Sequence, residues 1–164
     1  MSTLLSQSEN TMLRGLVGVK ITKLVLHKHP GMSGYRVALF QLHKHQNIAL
    51  EIVSHSISNR QEAFRISIRE TESETIVFGS DEIQFEDFLV SKLFLVRQQD
   101  FIENESSKHK EPVSIDVDVG ISLLSKAGAI LLVVADPFPT LFQVRFCSQV
   151  DFFKSNSFEQ LVEI

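Results

Sequence analysis

Two pairs of histidines have a spacing that could bind a metal ion. His27 and His29 form one pair, His43 and His45 form the other, and each pair lies within the sequence Leu-His-Lys-His. On a β-strand, residues i and i+2 point to the same face, so each pair could offer two imidazole ligands. If Pro30–Gly34 closes a hairpin, the two pairs lie roughly 20 Å apart along the sheet and cannot share one ion. Because no acidic or thiol ligand is near either pair in the sequence, we expect surface histidines, no metal site and no cofactor.

The single cysteine, Cys147, is a second candidate for chemistry. A nucleophilic cysteine needs a neighbouring base and a lowered pKa. Its neighbours Phe146 and Ser148 belong instead to an extended apolar segment without a glycine turn. We therefore expect a buried structural thiol. One cysteine also excludes an intrachain disulfide and any zinc module built from several cysteines.

Two aspartates, Asp116 and Asp118, precede Gly120 and could act as an acid or a base. Carboxylates at the start of a helix interact favourably with the helix dipole, so helix capping is the expected role. A catalytic carboxylate in a hot-dog-type thioesterase or acyl-binding protein is the alternative. The sequence contains no Walker loop and no Gly-x-Gly-x-x-Gly, His-Glu-x-x-His or Gly-x-Ser-x-Gly motif. We therefore expect no enzyme activity.

The composition is that of an ordinary globular chain. Its 164 residues, of which 43% are hydrophobic and 22% charged, suit one domain over residues 1–164. A net charge of −4 gives no electrostatic reason to expect nucleic acid or an anionic membrane as a partner. The longest apolar run, Ala127–Ala135, is well short of the roughly 20 residues that membrane insertion requires. Because the first residues do not have the pattern of a secretory signal, a cytoplasmic location is expected.

The first half of the chain has the pattern of β-strands. The segments whose alternation and β-branched residues predict strands are Val17–His29, Tyr35–His43 and Ile48–Ser58. Ala63–Arg69 alternates strictly between apolar and polar residues and is expected to form a hairpin with Thr75–Phe88. The alternation changes phase at Gly79, which predicts a bulge or bend there. Residues 1–13 are polar and expected to be flexible.

The second half favours helices. Leu89–Ile102 and Ile115–Ala135 carry apolar residues at spacings of three and four, which predict two helices. The prolines that follow Ala135 end the second helix. Residues 103–112 are expected to form an exposed loop, and residues 156–164 a last helical turn. Strands followed by helices predict the α+β class, with a four-stranded antiparallel sheet and C-terminal helices packed on one face.

Taken in order, several segments resemble the SecB family of protein-export chaperones. The first strand, KITKLVLHKHP (20–30), is similar to the family's opening strand, and residues 49–88 match its strand, loop and hairpin in length and alternation. Residues 125–142, followed by VDFF at 150–153, are similar to the family's helix and its exit. The resemblance implies a SecB-like fold, assembly as a dimer or tetramer, and binding of unfolded polypeptides in apolar grooves between the sheet and the helices.

The resemblance also bears on the partners of the chain. Where the family's first strand carries acids that contact the translocation ATPase SecA, this chain has Leu24 and Lys28. We therefore expect SecA to bind weakly or through another surface. Some relatives of the family serve toxin–antitoxin systems instead. The apolar helix expected at Ile115–Ala135 and the first strand are predicted to make the contacts of a homo-oligomer.

A SecB-like chaperone needs exposed apolar rings, and phenylalanine is abundant here. The chain has 13 Phe, one Tyr and no Trp, which suits binding without hydrogen-bond specificity. We therefore expect a non-enzymatic holdase in protein export or in a toxin–antitoxin context. The alternatives are the hot-dog-type enzyme or acyl binder, and a structural or adaptor domain without chaperone activity. The residues expected to contact an unfolded client are Phe78, Phe85, Phe138, Leu141 and Phe142. For each of them, a place in the core is the alternative.

Overall fold

The computed structural model describes residues 3–43, 46–58, 61–72, 79–102, 112–136, 141–148 and 160–164. Within these ranges the chain forms one short helix and nine β-strands. In chain order the elements are α1 (Gln7–Arg14), β1 (Lys20–Lys28), β2 (Tyr35–Leu42), β3 (Asn47–Ser58), β4 (Gln61–Thr71), β5 (Ser80–Ile102), β6 (Val113–Ser125), β7 (Ala129–Asp136), β8 (Leu141–Ser148) and β9 (Gln160–Glu163).

Six of the strands form a closed antiparallel ring in the order β1-β5-β6-β7-β8-β2. The ring closes between β2 and β8 through one residue pair, Tyr35 and Phe142. Gly34 lies next to this closure with φ at +123°, and a Cβ atom on it would lie 2.8 Å from the Cβ atom of Leu141. Only glycine permits both this backbone conformation and this approach of the two strands. Outside the ring, β3 and β4 continue the sheet beyond β2, and β9 pairs with β5.

The helix α1 lies against β4. Ser6 caps its first turn, because the Ser6 hydroxyl accepts the N–H of Glu9 and the Glu9 carboxylate accepts the N–H of Ser6. The same carboxylate accepts hydrogen bonds from the Arg65 and Ser67 side chains and from the N–H of Ile68 on β4. The helix α1 and its charged Glu9 therefore cover part of β4. In the described chain, β4 pairs with β3 alone. Among the described residues, no helix is long and apolar enough to cross a membrane.

The predicted α+β fold is wrong. Antiparallel strands dominate the described chain, and no C-terminal helices pack on the sheet within it. Leu89–Ile102 is the second part of β5, and Ile115–Ala135 contains β6, a tight turn and β7. The misleading spacing has a physical origin: one extra residue at Ser91 and one at Val119 shift the register between β5 and β6, so the period-two pattern is broken.

The hairpin predicted between Ala63–Arg69 and Thr75–Phe88 is also wrong where the structure describes it, and residues 75–78 lie outside the described ranges. β4 pairs with β3 along its length, and β5 begins at Ser80 and pairs first with β1. The segment expected to be a last helical turn ends in the strand β9, and the residues just before β9 lie outside the described ranges. Residues 1–13, expected to be flexible, contain most of α1, because the Ser6 cap and the Glu9 contacts hold that helix in place. The loop expected at 103–112 falls outside the described residues except for Pro112, which is exposed.

The strands predicted in the first half of the chain are confirmed, with β1 to β4 at or close to the expected places. The turn expected at Pro30–Gly34 joins β1 and β2, and the two strands pair around Leu24 and Phe40. Both of these side chains are completely buried. The core is continuous around the ring. Its largest fully buried side chains include Phe40, Phe142, Leu13, Leu24, Leu93 and Ile121.

Candidate functional site

A β-bulge in β5 brings two phenylalanines to one place. Ile21 pairs with Phe88 and Lys23 with Gln84, so three residues of β5 lie opposite a single residue of β1. In a regular strand, residues 85 and 88 would point to opposite faces. The extra residues of the bulge remove that alternation. The rings of Phe85 and Phe88 therefore contact each other, with 5.2 Å between their centroids.

Phe146 of β8 completes the aromatic cluster. Its ring centroid lies 5.5 Å from that of Phe85 and 6.2 Å from that of Phe88, with the ring planes tilted by 55° and 48°. These are favourable aromatic geometries. Phe88 is buried, Phe85 is half-buried and Phe146 is 52% exposed. The cluster therefore runs from the core to the surface.

The three rings line a surface cavity of about 230 Å³, which we call the aromatic groove. Consecutive residues of β5 form one side of it, and the turn between β6 and β7 forms another. The residues that line the aromatic groove are Ile83, Gln84, Phe85, Glu86, Asp87, Phe88, Ser125, Ala127, Ala129 and Phe146.

The turn between β6 and β7 is a well-anchored wall of the aromatic groove. The carbonyl of Ser125 accepts the N–H of Gly128 at 3.0 Å, and the Ser125 hydroxyl accepts the N–H of Ala129 at 2.9 Å. Gly128 has φ at +87°, a conformation that favours glycine. The N–H of Lys126 donates to the carbonyl of Leu89 at 2.8 Å and so fixes the turn to β5. This side of the aromatic groove is therefore held in place by two backbone hydrogen bonds and one to the Ser125 hydroxyl.

One edge of β5 is open beside the aromatic groove. Residues 80–89 of β5 pair with β1 on one edge, and β6 begins to pair with β5 on the other edge only at Val90. In the described part of the chain, no strand pairs with that other edge over residues 80–88. Peptide groups on an open edge can form hydrogen bonds with an added extended chain. The regular part of this edge ends at the bulge.

Acidic side chains lie along the same part of β5. The Nζ atom of Lys20 lies 3.2 Å from the carboxylate of Asp87, and that of Lys23 lies 3.3 Å from Glu82. Glu86 is exposed and has no ion-pair partner among the described residues. The Asp87 side chain remains 84% exposed in spite of its partner. Two exposed acidic residues, Glu86 and Asp87, are therefore among the residues that line the aromatic groove.

A further ion pair closes the start of β5 against β1 and β2. The carboxylate of Asp81 lies 3.0 Å from Nζ of Lys28 and accepts a hydrogen bond from the Tyr35 hydroxyl at 2.9 Å. The hydrogen bond from Lys28, and next the one from Tyr35, lower the pKa of Asp81. Burial, and next the hydrogen bond to Asp81, raise the pKa of the Tyr35 hydroxyl. Both pKa shifts indicate a structural contact in which Asp81 stays charged and Tyr35 stays neutral at neutral pH.

The residues predicted to contact a client are distributed unevenly. Phe85 lies in the aromatic groove. Leu141 and Phe142 are buried in the core, 4% and 0% exposed, which favours the core alternative for both. Phe78 and Phe138 lie outside the described residues. Phe88 and Phe146 were not predicted as client contacts. The alternation of apolar residues along β8, through Phe142, Val144 and Phe146, could have indicated Phe146.

The histidine pairs and the cysteine do not join this site. His27 is half-buried, with an Nδ1 atom that has no hydrogen-bond partner in the described structure, and His29 donates from Nδ1 to the carbonyl of Pro30 at 3.0 Å. His43 is exposed and His45 lies outside the described residues, so the absence of a metal site stays a prediction. Within the described ranges, no three His, Cys, Asp or Glu side chains are grouped to hold a metal ion. Cys147 is half-buried on β8.

Asp116 and Asp118 lie on the strand β6 and not at the start of a helix, so the predicted capping role is wrong. Asp116 is exposed and Asp118 is completely buried. One carboxylate oxygen of Asp118 accepts from Nε of Arg97 at 2.9 Å, and the other accepts the N–H of Leu5 at 2.9 Å. With both oxygens engaged, the Asp118 carboxylate serves to join β5, β6 and the segment before α1.

The geometry of the aromatic groove suits contact with an apolar side chain. An exposed ring, a second half-buried ring and a buried third ring offer apolar area at the surface, and an open strand edge lies beside them. Removing such area from water is favourable and requires no specific hydrogen bond. Comparison with known proteins finds no matching family model, no similar curated protein and no similar solved structure.

Proposed function

We propose that this chain is a non-enzymatic binding protein, a holdase that retains unfolded or partly folded polypeptides at the aromatic groove. The observation that carries the proposal is the ring of Phe146, which is 52% exposed and makes a tilted contact with the half-buried ring of Phe85 at the edge of a cavity. An apolar side chain of a client would cover these rings. This is also the activity that the resemblance to the SecB family implies, but here it is supported by the groove and not by the family's fold.

The size of the aromatic groove supports a polypeptide client over a small-molecule ligand. At about 230 Å³ the cavity is smaller than the roughly 300–1,000 Å³ of typical small-molecule sites, and it suits one side chain. The backbone edge of β5 before the bulge can add hydrogen bonds to an extended segment. Burial of ring surface contributes about 25 cal/mol per Å², so a single contact is weak and several are needed for retention.

Several expectations about the setting remain predictions that belong to this proposal. They are a cytoplasmic location, assembly as a homo-dimer or homo-tetramer, and a role in protein export or in a toxin–antitoxin system. The expected weakness of SecA binding also stays a prediction; Leu24 is buried in the core and Lys28 is paired with Asp81. Light scattering on the purified chain measures the oligomeric state directly.

A matched pair of substitutions tests the proposed site. Phe146→Ser removes the exposed ring of the aromatic groove, and Phe101→Ser removes a ring of similar exposure, 63%, farther along β5 and outside the groove. Both variants are to be assayed for suppression of aggregation of a chemically unfolded client and for binding of a labelled unfolded peptide. We expect Phe146→Ser to weaken binding severalfold and Phe101→Ser to leave it unchanged.

Two results of these assays would contradict the proposal. If the unaltered chain neither suppresses aggregation nor binds the peptide, the holdase function is wrong. If both variants weaken binding equally, the aromatic groove is not the site. Urea unfolding of both variants serves as the control for folding, because the Phe146 ring also contributes about 0.5–1.5 kcal/mol through its aromatic contacts.

A further inference from the structure

We infer that two copies of this chain form a dimer by exchanging their N-terminal segments, so that residues 3–16 of each copy lie in the other copy. We call residues 3–16 the strap. The strap lies in a seam between β4 and β6, and it forms hydrogen bonds with both strands. This surface is separate from the aromatic groove, so the exchange is independent of the proposed function.

On the β4 side of the seam, an ion pair takes the place of a neighbouring strand. The Glu9 carboxylate accepts the N–H of Ile68 at 3.2 Å, and Nη1 of Arg65 donates to the carbonyl of Ile66 at 2.9 Å. Glu9 and Arg65 also contact each other at 3.1 Å. In an antiparallel sheet, a paired strand would bond to the same two backbone groups. The strap therefore satisfies an edge of β4 that no strand pairs with in the described chain.

On the β6 side of the seam, residues 3–5 act as a short strand would. Among the described residues, β7 pairs with β6 only between Gly120 and Leu124, which leaves the part of β6 before Gly120 without a strand on that edge. The carbonyl of Thr3 accepts the N–H of Asp118 at 3.3 Å. The N–H of Leu5 donates to the Asp118 carboxylate at 2.9 Å. The strap is thus held to β6 through its backbone.

The seam is complementary in charge and shape to the strap. It offers the cation of Arg65 and the buried carboxylate of Asp118, and the strap supplies the buried carboxylate of Glu9 and a backbone N–H. Leu13 and Leu16 of the strap are completely buried. A second copy carries an identical strap. Exchange therefore conserves each of these contacts and leaves no buried charge without its partner.

Val17 and Gly18 form the hinge for this exchange. Val17 is 42% exposed, and Gly18 is exposed with φ at +82° and nothing within 4 Å of the position of a Cβ atom. The N–H of Gly18 donates to the carbonyl of Val90 at 2.8 Å, so the chain after the hinge stays fixed to its own β5. A hinge needs only a few residues whose φ and ψ change without loss of packing. Extension of these two residues directs the strap towards a second copy.

Gly18→Val tests the hinge. The φ of +82° is unfavourable for valine in the closed chain, and an extended hinge in the dimer relieves this strain. Gly31→Val is the matched control, because Gly31 has φ at +75° and the same free space but lies in the turn between β1 and β2. Light scattering over a range of concentrations should show a dimer of the unaltered chain. Gly18→Val should raise its association constant by roughly tenfold or more, and Gly31→Val should not.

Crosslinking shows whether the dimer forms by exchange. In the background Cys147→Ser, one tagged copy carries Thr3→Cys and a differently tagged, co-expressed copy carries Asp116→Cys. The Thr3 hydroxyl donates to the carbonyl of Asp116, so a short thiol crosslinker joins the copies when the strap of one lies in the seam of the other. Thr3→Cys with Arg36→Cys, an exposed position on β2, is the control for random collision. We expect a crosslinked heterodimer from the first combination only.

Three results would overturn the exchange. They are a monomer at every concentration, a Gly18→Val variant no more dimeric than Gly31→Val, and a dimer that crosslinks no better than the control. The crosslinking uses the unaltered hinge, so it decides the matter even if Gly18→Val does not fold. None of these results involves the aromatic groove, so the proposed holdase site would stand. Loss of peptide binding in Phe146→Ser tests that site separately.

Discussion

Arg97 and Asp118 form an ion pair whose carboxylate is completely buried. Nε of Arg97 donates to Oδ1 of Asp118 at 2.9 Å, and the N–H of Leu5 donates to Oδ2 at 2.9 Å. The carbonyl of Thr3 in turn accepts the N–H of Asp118 at 3.3 Å. One carboxylate thus connects two strands of the ring to the segment that leads into α1.

Replacing Arg97 by methionine tests this connection. The change leaves a buried carboxylate without its cation and should lower the free energy of unfolding by about 3–5 kcal/mol. Asp118→Asn should cost less, because the neutral amide leaves no buried charge. Urea unfolding of the two variants measures the difference. A loss for Arg97→Met no larger than that for Asp118→Asn would show that the Asp118 carboxylate is not destabilising when it lacks its cation.

Glu9 makes the stability of the fold depend on pH. Burial raises its pKa, but the hydrogen bonds from Ser6 and Ile68 and the charge of Arg65 outweigh burial and lower the pKa from 4.5 to about 2. Because the pKa is lower in the folded state, the carboxylate stabilises the fold above pH 4.5, and this stabilisation is lost as the pH falls from 4.5 towards 2. The difference corresponds to about 3 kcal/mol at neutral pH.

The variant Glu9→Gln should show less of this pH dependence. At neutral pH it should be less stable than the unaltered chain by about 3 kcal/mol, and the gap should close between pH 4.5 and pH 2. Unfolding in urea at a series of pH values gives the comparison. A gap that stays constant over this range would mean that the Glu9 carboxylate titrates alike in the folded and unfolded chain.

Phe142→Ala distinguishes a core ring from a binding ring. The side chain is completely buried at the closure of the strand ring, so its removal should cost about 3–5 kcal/mol. Thermal unfolding measures this cost, and peptide binding at low temperature should be retained by the folded fraction. Unchanged stability together with weakened peptide binding would show that Phe142 contacts the client and is not a core residue.

Two glycines of one turn test the closure between β2 and β8. Gly34→Ala meets both an unfavourable φ of +123° and the Cβ atom of Leu141 at 2.8 Å. Gly31→Ala meets only an unfavourable φ of +75°, with nothing within 4 Å. We expect a loss of about 1–2 kcal/mol for Gly31→Ala and a further 1–3 kcal/mol for Gly34→Ala. Equal losses in chemical unfolding would mean that the two strands do not approach closely here.

The strand β4 was predicted correctly because one of its faces is exposed to solvent, whereas β6 was missed because both of its faces are buried. In β4, buried Ile66 and Ile68 alternate with Arg65 and Ser67, which gives a clean period of two. In β6, every residue from 117 to 123 is buried, so the alternation that marks a strand is absent. The sequence did contain a signal for the turn that follows, since Gly128 lies in the middle of the supposed helix.

The candidate site could be predicted only in part because a bulge builds it. Phe85 was recognised as an apolar ring beyond the bend predicted at Gly79, and that bend is confirmed, with φ at +90°, but the bulge at residues 85–87 was not predicted. Contact between Phe85 and Phe146 depends on how β5 and β8 are arranged in the ring. The two residues are separated by 60 others, and no local sequence pattern predicts that these strands approach each other. The contact can therefore be predicted only when the order of the strands is known.

The order of strands also has a consequence for the chain as it is synthesised. β1 to β4 pair with their neighbours in sequence, so a four-stranded meander can form early. The outer edge of β1 stays unpaired until β5 has been synthesised. The contact of Leu5 with Asp118 forms later still, because at about 5–20 residues per second Asp118 is synthesised roughly 6–23 s after Leu5. Until β5 has been synthesised, the nascent chain exposes the unpaired edge of β1. A protein proposed to retain unfolded polypeptides thus passes, while it is being made, through a state that itself invites capture by a chaperone.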